Sequence, residues 1–325
     1  MNPKIRVASF LLLASLAAGL AAEDAKPAGP VELPGRYDQD RFVVTPMSKT
    51  GQPLSLFTDT GGGLFLTEAA VKRLALPKQS VGQDANRIDF IELPAFQAEA
   101  AIPPPLGNSG HVFIMPERAG KHGPIDGMDG MLGQAWFSGR VWTFDYPGRR
   151  LLWRPAGDVP AVEPTHRVSL GFQADKDGKR QADFPRITAT IDGQALDLLF
   201  DTGATVSLSP QALEKLADKG PAQRGTSFIA ATHFDRWRQK HPDWRVIEDA
   251  DVGIQKQPMI EVPAVTVAGY TVGPVWFTRR EDANFHEFMS QWMDKQVEGA
   301  LGGSALKYFR VTVDYPKAVA VFEKP

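Results

Sequence analysis

The sequence contains no cysteine. That excludes disulfides, a thiolate nucleophile and any cysteine-based metal site. Histidine is sparse, with 6 residues scattered at positions 111, 122, 166, 233, 241 and 286. None forms a His-x-x-x-His pair, so the sequence offers no zinc signature and no cofactor is expected. An excess of one charge is also missing: 36 basic residues face 38 acidic ones. No nucleic-acid or membrane-surface partner is expected from such a balance. Gly61-Gly62-Gly63 lacks the following Lys-Ser/Thr of a phosphate loop. Ser207 and Ser209 lack a Gly-x-Ser-x-Gly frame. Asp126 and Asp129 have no further spaced acids, which favours a solvated turn over a calcium loop.

What is present begins with the N-terminus. Lys4 and Arg6 precede an apolar run from Val7 to Leu20, then small residues at Ala21 and Ala22 and the polar pair Glu23-Asp24. This order predicts a signal peptide over residues 1–22 and a periplasmic or secreted destination. The run is short for a membrane span, so no stable span is expected after processing; a retained anchor helix is the alternative. Residues 23–37, rich in Ala, Pro and Gly, read as a linker or N-terminal arm.

The rest of the chain is a repeat. Thr50-Gly51-Gln52-Pro53-Leu54-Ser55-Leu56-Phe57-Thr58-Asp59-Thr60-Gly61 aligns with Asp192-Gly193-Gln194-Ala195-Leu196-Asp197-Leu198-Leu199-Phe200-Asp201-Thr202-Gly203 without a gap. The match continues through Leu66-Thr67 with Leu208-Ser209 and Leu74 with Leu216. A second pair follows in the same order: Gly130-Met131-Leu132-Gly133 with Gly299-Ala300-Leu301-Gly302, then Asp145-Tyr146-Pro147 with Asp314-Tyr315-Pro316. One Asp-Thr-Gly means little; two coordinated motifs in both halves require duplication.

Each half reads as a small β lobe, over 38–156 and 165–325, joined near Pro155–Pro164. Gly51 and Gly193 turn one strand into the next, and Asp-Thr-Gly forms the turn at that strand's end. Thr67 and Ser209 stand at helix N-caps before Glu68–Leu74 and Gln211–Leu216. The fold expected is mainly β, with two pseudo-symmetric barrel-like lobes, short helices and an extra helical insert in lobe two. Thr226–Asp243 is expected to be that insert, an exposed helix with an aromatic face, and Asp282–Val297 a second helix.

Two Asp-Thr-Gly turns on a pseudo-two-fold axis would place two carboxylates together, sharing one proton. Such a pair can activate water as base and protonate an amide as acid. Thr60 and Thr202 would hydrogen-bond across the pair, Gly61 and Gly203 would admit backbone N–H groups, and the segments ending in Gly133 and Gly302 would brace the turns. Phe200-Asp201-Thr202-Gly203-Ala204 with Gly299-Ala300-Leu301-Gly302 resembles the retropepsin-like half of clan AA aspartic peptidases. Phe57-Thr58-Asp59-Thr60-Gly61 with Gly130-Met131-Leu132-Gly133 repeats it, and two halves on one chain resemble the pepsin arrangement. The resemblance implies an acid-protease fold, Asp59 and Asp201 as catalytic dyad, and an extended peptide or unfolded protein as substrate. It also implies a monomer, because both halves are supplied by one chain. Gly62 and Ala204 depart from it, standing where pepsin-like sites carry Ser or Thr, and no Tyr between Asp59 and Gly130 offers a flap residue. The alternatives are an exported, catalytically silent peptide-binding protein with the same fold, or a precursor processed near its N-terminal arm.

Overall fold

The computed structural model describes residues 28–82, 87–97, 102–106, 110–116, 123, 125–253 and 256–325. The expected signal peptide lies outside the described residues. Among those residues no helix is long and apolar enough to cross a membrane.

The architecture is mainly β, in two lobes of matching topology joined by a shared sheet. Lobe one is an eight-stranded sheet in the order Gly35–Tyr37, Phe42–Val44, Leu56–Thr58, Gly130–Leu132, Phe65–Thr67, His111–Met115, Ile88–Glu92, Gln79–Val81. Lobe two repeats seven of those strands, from Arg186–Ile191 through Gln194–Phe200, Gly299–Leu301, Ser227–Ala230, Val275–Arg280 and Gln257–Val262 to Val246–Asp251, while the edge beside Arg186–Ile191 is taken by the later hairpin Val265–Val267 with Tyr270–Val272. The pairing senses agree as well. The strand leading into each aspartate runs parallel to the brace segment, Phe57 beside Met131 and Leu199 beside Ala300. The next strand runs antiparallel to that brace, Phe65 opposite Met131 and Phe228 opposite Ala300.

This topology corrects the extent of the duplication read from sequence. The counterpart of Phe65–Thr67 and its helix Glu68–Arg73 is Ser227–Ala230 with helix Ala231–Lys240, not the segment after Gly203. Residues 205–225 are the true insertion in lobe two: a hairpin of Thr205–Ser207 with Gln223–Gly225, enclosing helix Pro210–Leu216. Thr67 and Ser209 do cap their helices, each side-chain oxygen accepting the N–H three residues on. A cap records where a helix begins and carries no information on what it packs against.

Thr226–Asp243 also departs from expectation. Thr226 leads into the strand Ser227–Ala230, and the helix Ala231–Lys240 buries Phe234 and Trp237 in the main core instead of exposing an aromatic face. The three-residue spacing of those rings puts them on one side, with Arg238 and Lys240 left to the solvent side. Residues expected to form a linker, 31–37, supply two strands: Val31–Glu32 pairs with Leu152 and Trp153, and Gly35–Tyr37 with Phe42–Val44.

A six-stranded sheet joins the lobes. Its centre is the antiparallel pair Val141–Asp145 and Arg310–Asp314, each closed into a hairpin by an Asp-Tyr-Pro turn. The pseudo-two-fold axis passes through Thr143 and Thr312, which face each other with their hydroxyls 2.7 Å apart. Above this sheet a core of Trp136, Phe137, Trp142, Phe144, Phe200 and Tyr315 runs from one lobe into the other, Phe144 meeting Phe200 at 5.9 Å. Burial of one such ring stabilises by about 1.5–3 kcal/mol, so the lobes have a common core.

Candidate active site

Leu198-Leu199-Phe200 is a continuous apolar run because its strand is covered on both faces. Phe200 enters the shared core and Leu199 faces the opposite side with Ala300. The strand ends where Asp201 N–H donates to Leu301 O at 3.0 Å; in lobe one Asp59 N–H donates to Leu132 O at 3.1 Å. The apolar-apolar-Gly segments therefore brace the turns as expected. Their last glycines are required sterically. A Cβ on Gly133 would lie 2.1 Å from Gly63 O, and one on Gly302 would lie 2.0 Å from Thr226 O.

The turns meet at the seam between lobes. Thr60 N–H donates to Thr202 Oγ1 at 3.2 Å, and Thr202 N–H donates to Thr60 Oγ1 at 3.0 Å. Thr60 Oγ1 in turn donates to Phe200 O at 2.6 Å. Each carboxylate accepts the N–H of its own glycine, Asp59 from Gly61 at 2.8 Å and Asp201 from Gly203 at 2.9 Å. Each glycine also packs on the opposite aspartate. A Cβ on Gly203 would lie 2.1 Å from Asp59 Cγ, and one on Gly61 would lie 2.8 Å from Asp201 Cγ. The structure thus brings together Asp59, Asp201, Thr60, Thr202, Gly61, Gly203, Gly133 and Gly302.

The two carboxyls are unequal. Burial pushes Asp59 well above the usual carboxylate range, and the neighbouring Asp201 charge and hydrogen bond raise it further. Burial also raises Asp201, but hydrogen bonds from Asp59 and from the N–H groups of Gly203 and Ala204 hold it back. Gly62, the residue after the first Asp-Thr-Gly, gives its N–H to Asp59 O at 3.1 Å. The buried pair titrates as one unit and holds a shared proton above the usual carboxylate range.

Gly62 has a steric reason. A Cβ there would lie 2.4 Å from Met131 Sδ and 2.6 Å from Asp59 Oδ2. Sequence reasoning missed Leu199 as a neighbour of the dyad, although two-residue alternation along a strand puts it on the same face as Asp201.

Two crossing loops complete the seam. Gln39 and Asp40 both adopt left-handed backbone (φ 48° and 63°), and Gln39 O accepts from Gly225 N at 2.8 Å. On the other side Asp183 N–H donates to Gln134 Oε1 at 2.9 Å. Asp129 ties its loop to distant segments, its carboxylate accepting from Ser55 N and pairing with Arg73. No group of three or more His or acidic residues among the described residues is placed to hold a metal ion.

No protein-family model matches the chain, and no curated protein does either. Among solved structures the chain is similar to an aspartic proteinase from Irpex lacteus, with 10% identity and a TM-score of 0.48, over 91% of this chain and 97% of that one.

Proposed function

We propose that the protein is an aspartic endopeptidase in which Asp59 and Asp201 activate a water against a peptide carbonyl. The observation that carries this reading is two buried carboxyls held together by the reciprocal Thr60–Thr202 hydrogen bonds. The ionised carboxyl of the pair can accept a proton from water while the protonated one gives its proton to the carbonyl oxygen. The tetrahedral intermediate then collapses as the leaving nitrogen is protonated, so neither metal nor covalent nucleophile is needed. The substrate is an extended peptide or unfolded protein, bound as an added strand between the lobes. The enzyme is a monomer of the periplasm or extracellular space, since one chain supplies both turns and residues 1–22 read as a leader.

One observation favours a second reading, an exported peptide-binding protein that does not hydrolyse. Asp59 and Asp201 are each only 8% exposed. Cleavage of an unfolded protein across a pH series, with and without a statine inhibitor, separates the two. Statine-sensitive cleavage by wild type, lost in Asp201→Asn, supports the peptidase; wild-type inactivity at every pH supports the binder.

A further inference from the structure

Asp59 and Asp201 are each only 8% exposed, so access of a peptide to the dyad is restricted in this conformation. The cavity of about 340 Å³ lined by Thr143, Arg154, Arg310 and Glu323 lies against the six-stranded sheet and reaches neither aspartate. The face of lobe two that bears Asp201 is walled by Leu199, whose Cδ2 would be 2.9 Å from a Cβ on Gly61 of the other turn. Leu199 and Ala300 are buried there beneath Phe285, Met289, Met293 and Val297. All four belong to the connection between the strands Val275–Arg280 and Gly299–Leu301, which joins no sheet. Its first turns are a π-helix, Asn284–Met289, a geometry that is rare and concentrated at functional sites. Phe288 stands out from it at 57% exposed.

Polar clamps hold this connection at its ends and near its middle. Asp282 accepts the N–H and hydroxyl of Thr232 at 2.9 and 2.6 Å. Arg186 forks onto Asp294 through Nε at 2.7 Å and Nη2 at 2.8 Å. Glu298 Oε2 lies 3.0 Å from His233 Nε2 and 2.7 Å from His286 Nε2. Arg236 Nη2 sits 2.6 Å from His233 Nδ1 and can only donate. The His233 ring is therefore the Nε2–H tautomer, a hydrogen-bond donor to Glu298 and not a metal ligand. Beneath the clamps, the Met side chains can re-pack against another apolar surface as readily as against Leu199.

We infer that residues 281–298 form a lid, closed here over the Asp201 side of the cleft and released when the Arg186–Asp294 fork opens. The lid rests on the peptide-site reading of the dyad, and it is distinct from the edge hairpins of the two sheets. A protein in this closed state is self-inhibited. Opening exchanges the apolar underside of the lid for the side chains of an incoming peptide.

The chain's lack of cysteine permits a direct test. A Cβ on Gly171 would lie 2.4 Å from Asp294 Oδ2, so Gly171→Cys with Asp294→Cys puts two sulfurs within bonding reach. Association of a statine peptide with the oxidised double variant should be at least about tenfold slower than with its reduced form, because only the open fraction binds. Equal rates in both forms overturn the lid. Should neither variant nor wild type bind any peptide, the peptide-site reading fails, and hydrogen exchange still decides the lid. Amides of residues 284–293 should then exchange at least about tenfold faster in Asp294→Ala than in wild type, with Gln194–Phe200 unchanged. Lid amides that exchange only together with that strand overturn it.

Discussion

Thr60 and Thr202 each accept the other's backbone N–H, so the turn of each lobe is held by a side chain of the other. The exchange is not fully symmetric, because Thr60 Oγ1 also donates to Phe200 O. Thr60→Val should destabilise the protein by about 1–3 kcal/mol, since it leaves buried polar groups unpaired. Thr202→Val should cost less. Urea titration of both variants measures the order, and a larger loss for Thr202→Val would contradict it.

Substitution at the glycines probes the contact between turns directly. Gly203→Ala puts a methyl inside the Asp59 carboxyl and should abolish hydrolysis while the rest of the fold survives. Gly62→Ser, which would install the hydroxyl usual in pepsin-like sites, should destabilise by about 1–3 kcal/mol through overpacking on Met131. Adding Met131→Ala should recover part of that loss. Thermal melting of the single and double variants is the check.

Asp59→Asn and Asp201→Asn should each reduce peptide hydrolysis by at least about 10³-fold, and the double variant little further, because the carboxyls act as one unit. Raised carboxyl pKa values without a Ser or Thr hydroxyl beside them predict a mildly acidic optimum. A pH–rate profile peaking below about pH 3, the regime of pepsin, would contradict this.

The same raised values set a stability trend. Unfolded aspartates ionise near pH 3.9, whereas the folded pair keeps protons to higher pH. The folded state then binds more protons than the unfolded one, so stability falls as pH rises through the folded values. Asp59→Asn removes that penalty. Between pH 4 and pH 7 wild type should lose stability relative to Asp59→Asn, measured by urea titration of both across the range. Parallel stability curves would refute the raised values.

The paired Asp-Thr-Gly turns were legible in sequence because a two-fold arrangement demands two copies of one turn, and both copies of turn and brace stand in the chain. The insertion was not legible. The ungapped match of Leu66-Thr67 to Leu208-Ser209 reflects shared helix-cap chemistry, which is local, while strand partnership across the sheet is not. The face of helix Ala231–Lys240 was misjudged for a related reason: interleaved Arg and Lys mask the three-residue spacing of Phe234 and Trp237. The lid was seen only as helical composition, since nothing in its residues announces that Asp294 meets an arginine 108 positions away.

The hydroxyl pair Thr143–Thr312 marks the line on which the chain could be folded onto itself. The strands on either side pair across that line as they would between two separate copies. Separately synthesised halves cut between 156 and 163 therefore carry complementary strand edges with which to find each other. Lobe one paired with itself would lack the hairpin and helix of 205–225, a division of labour that a symmetric pair of identical chains cannot make.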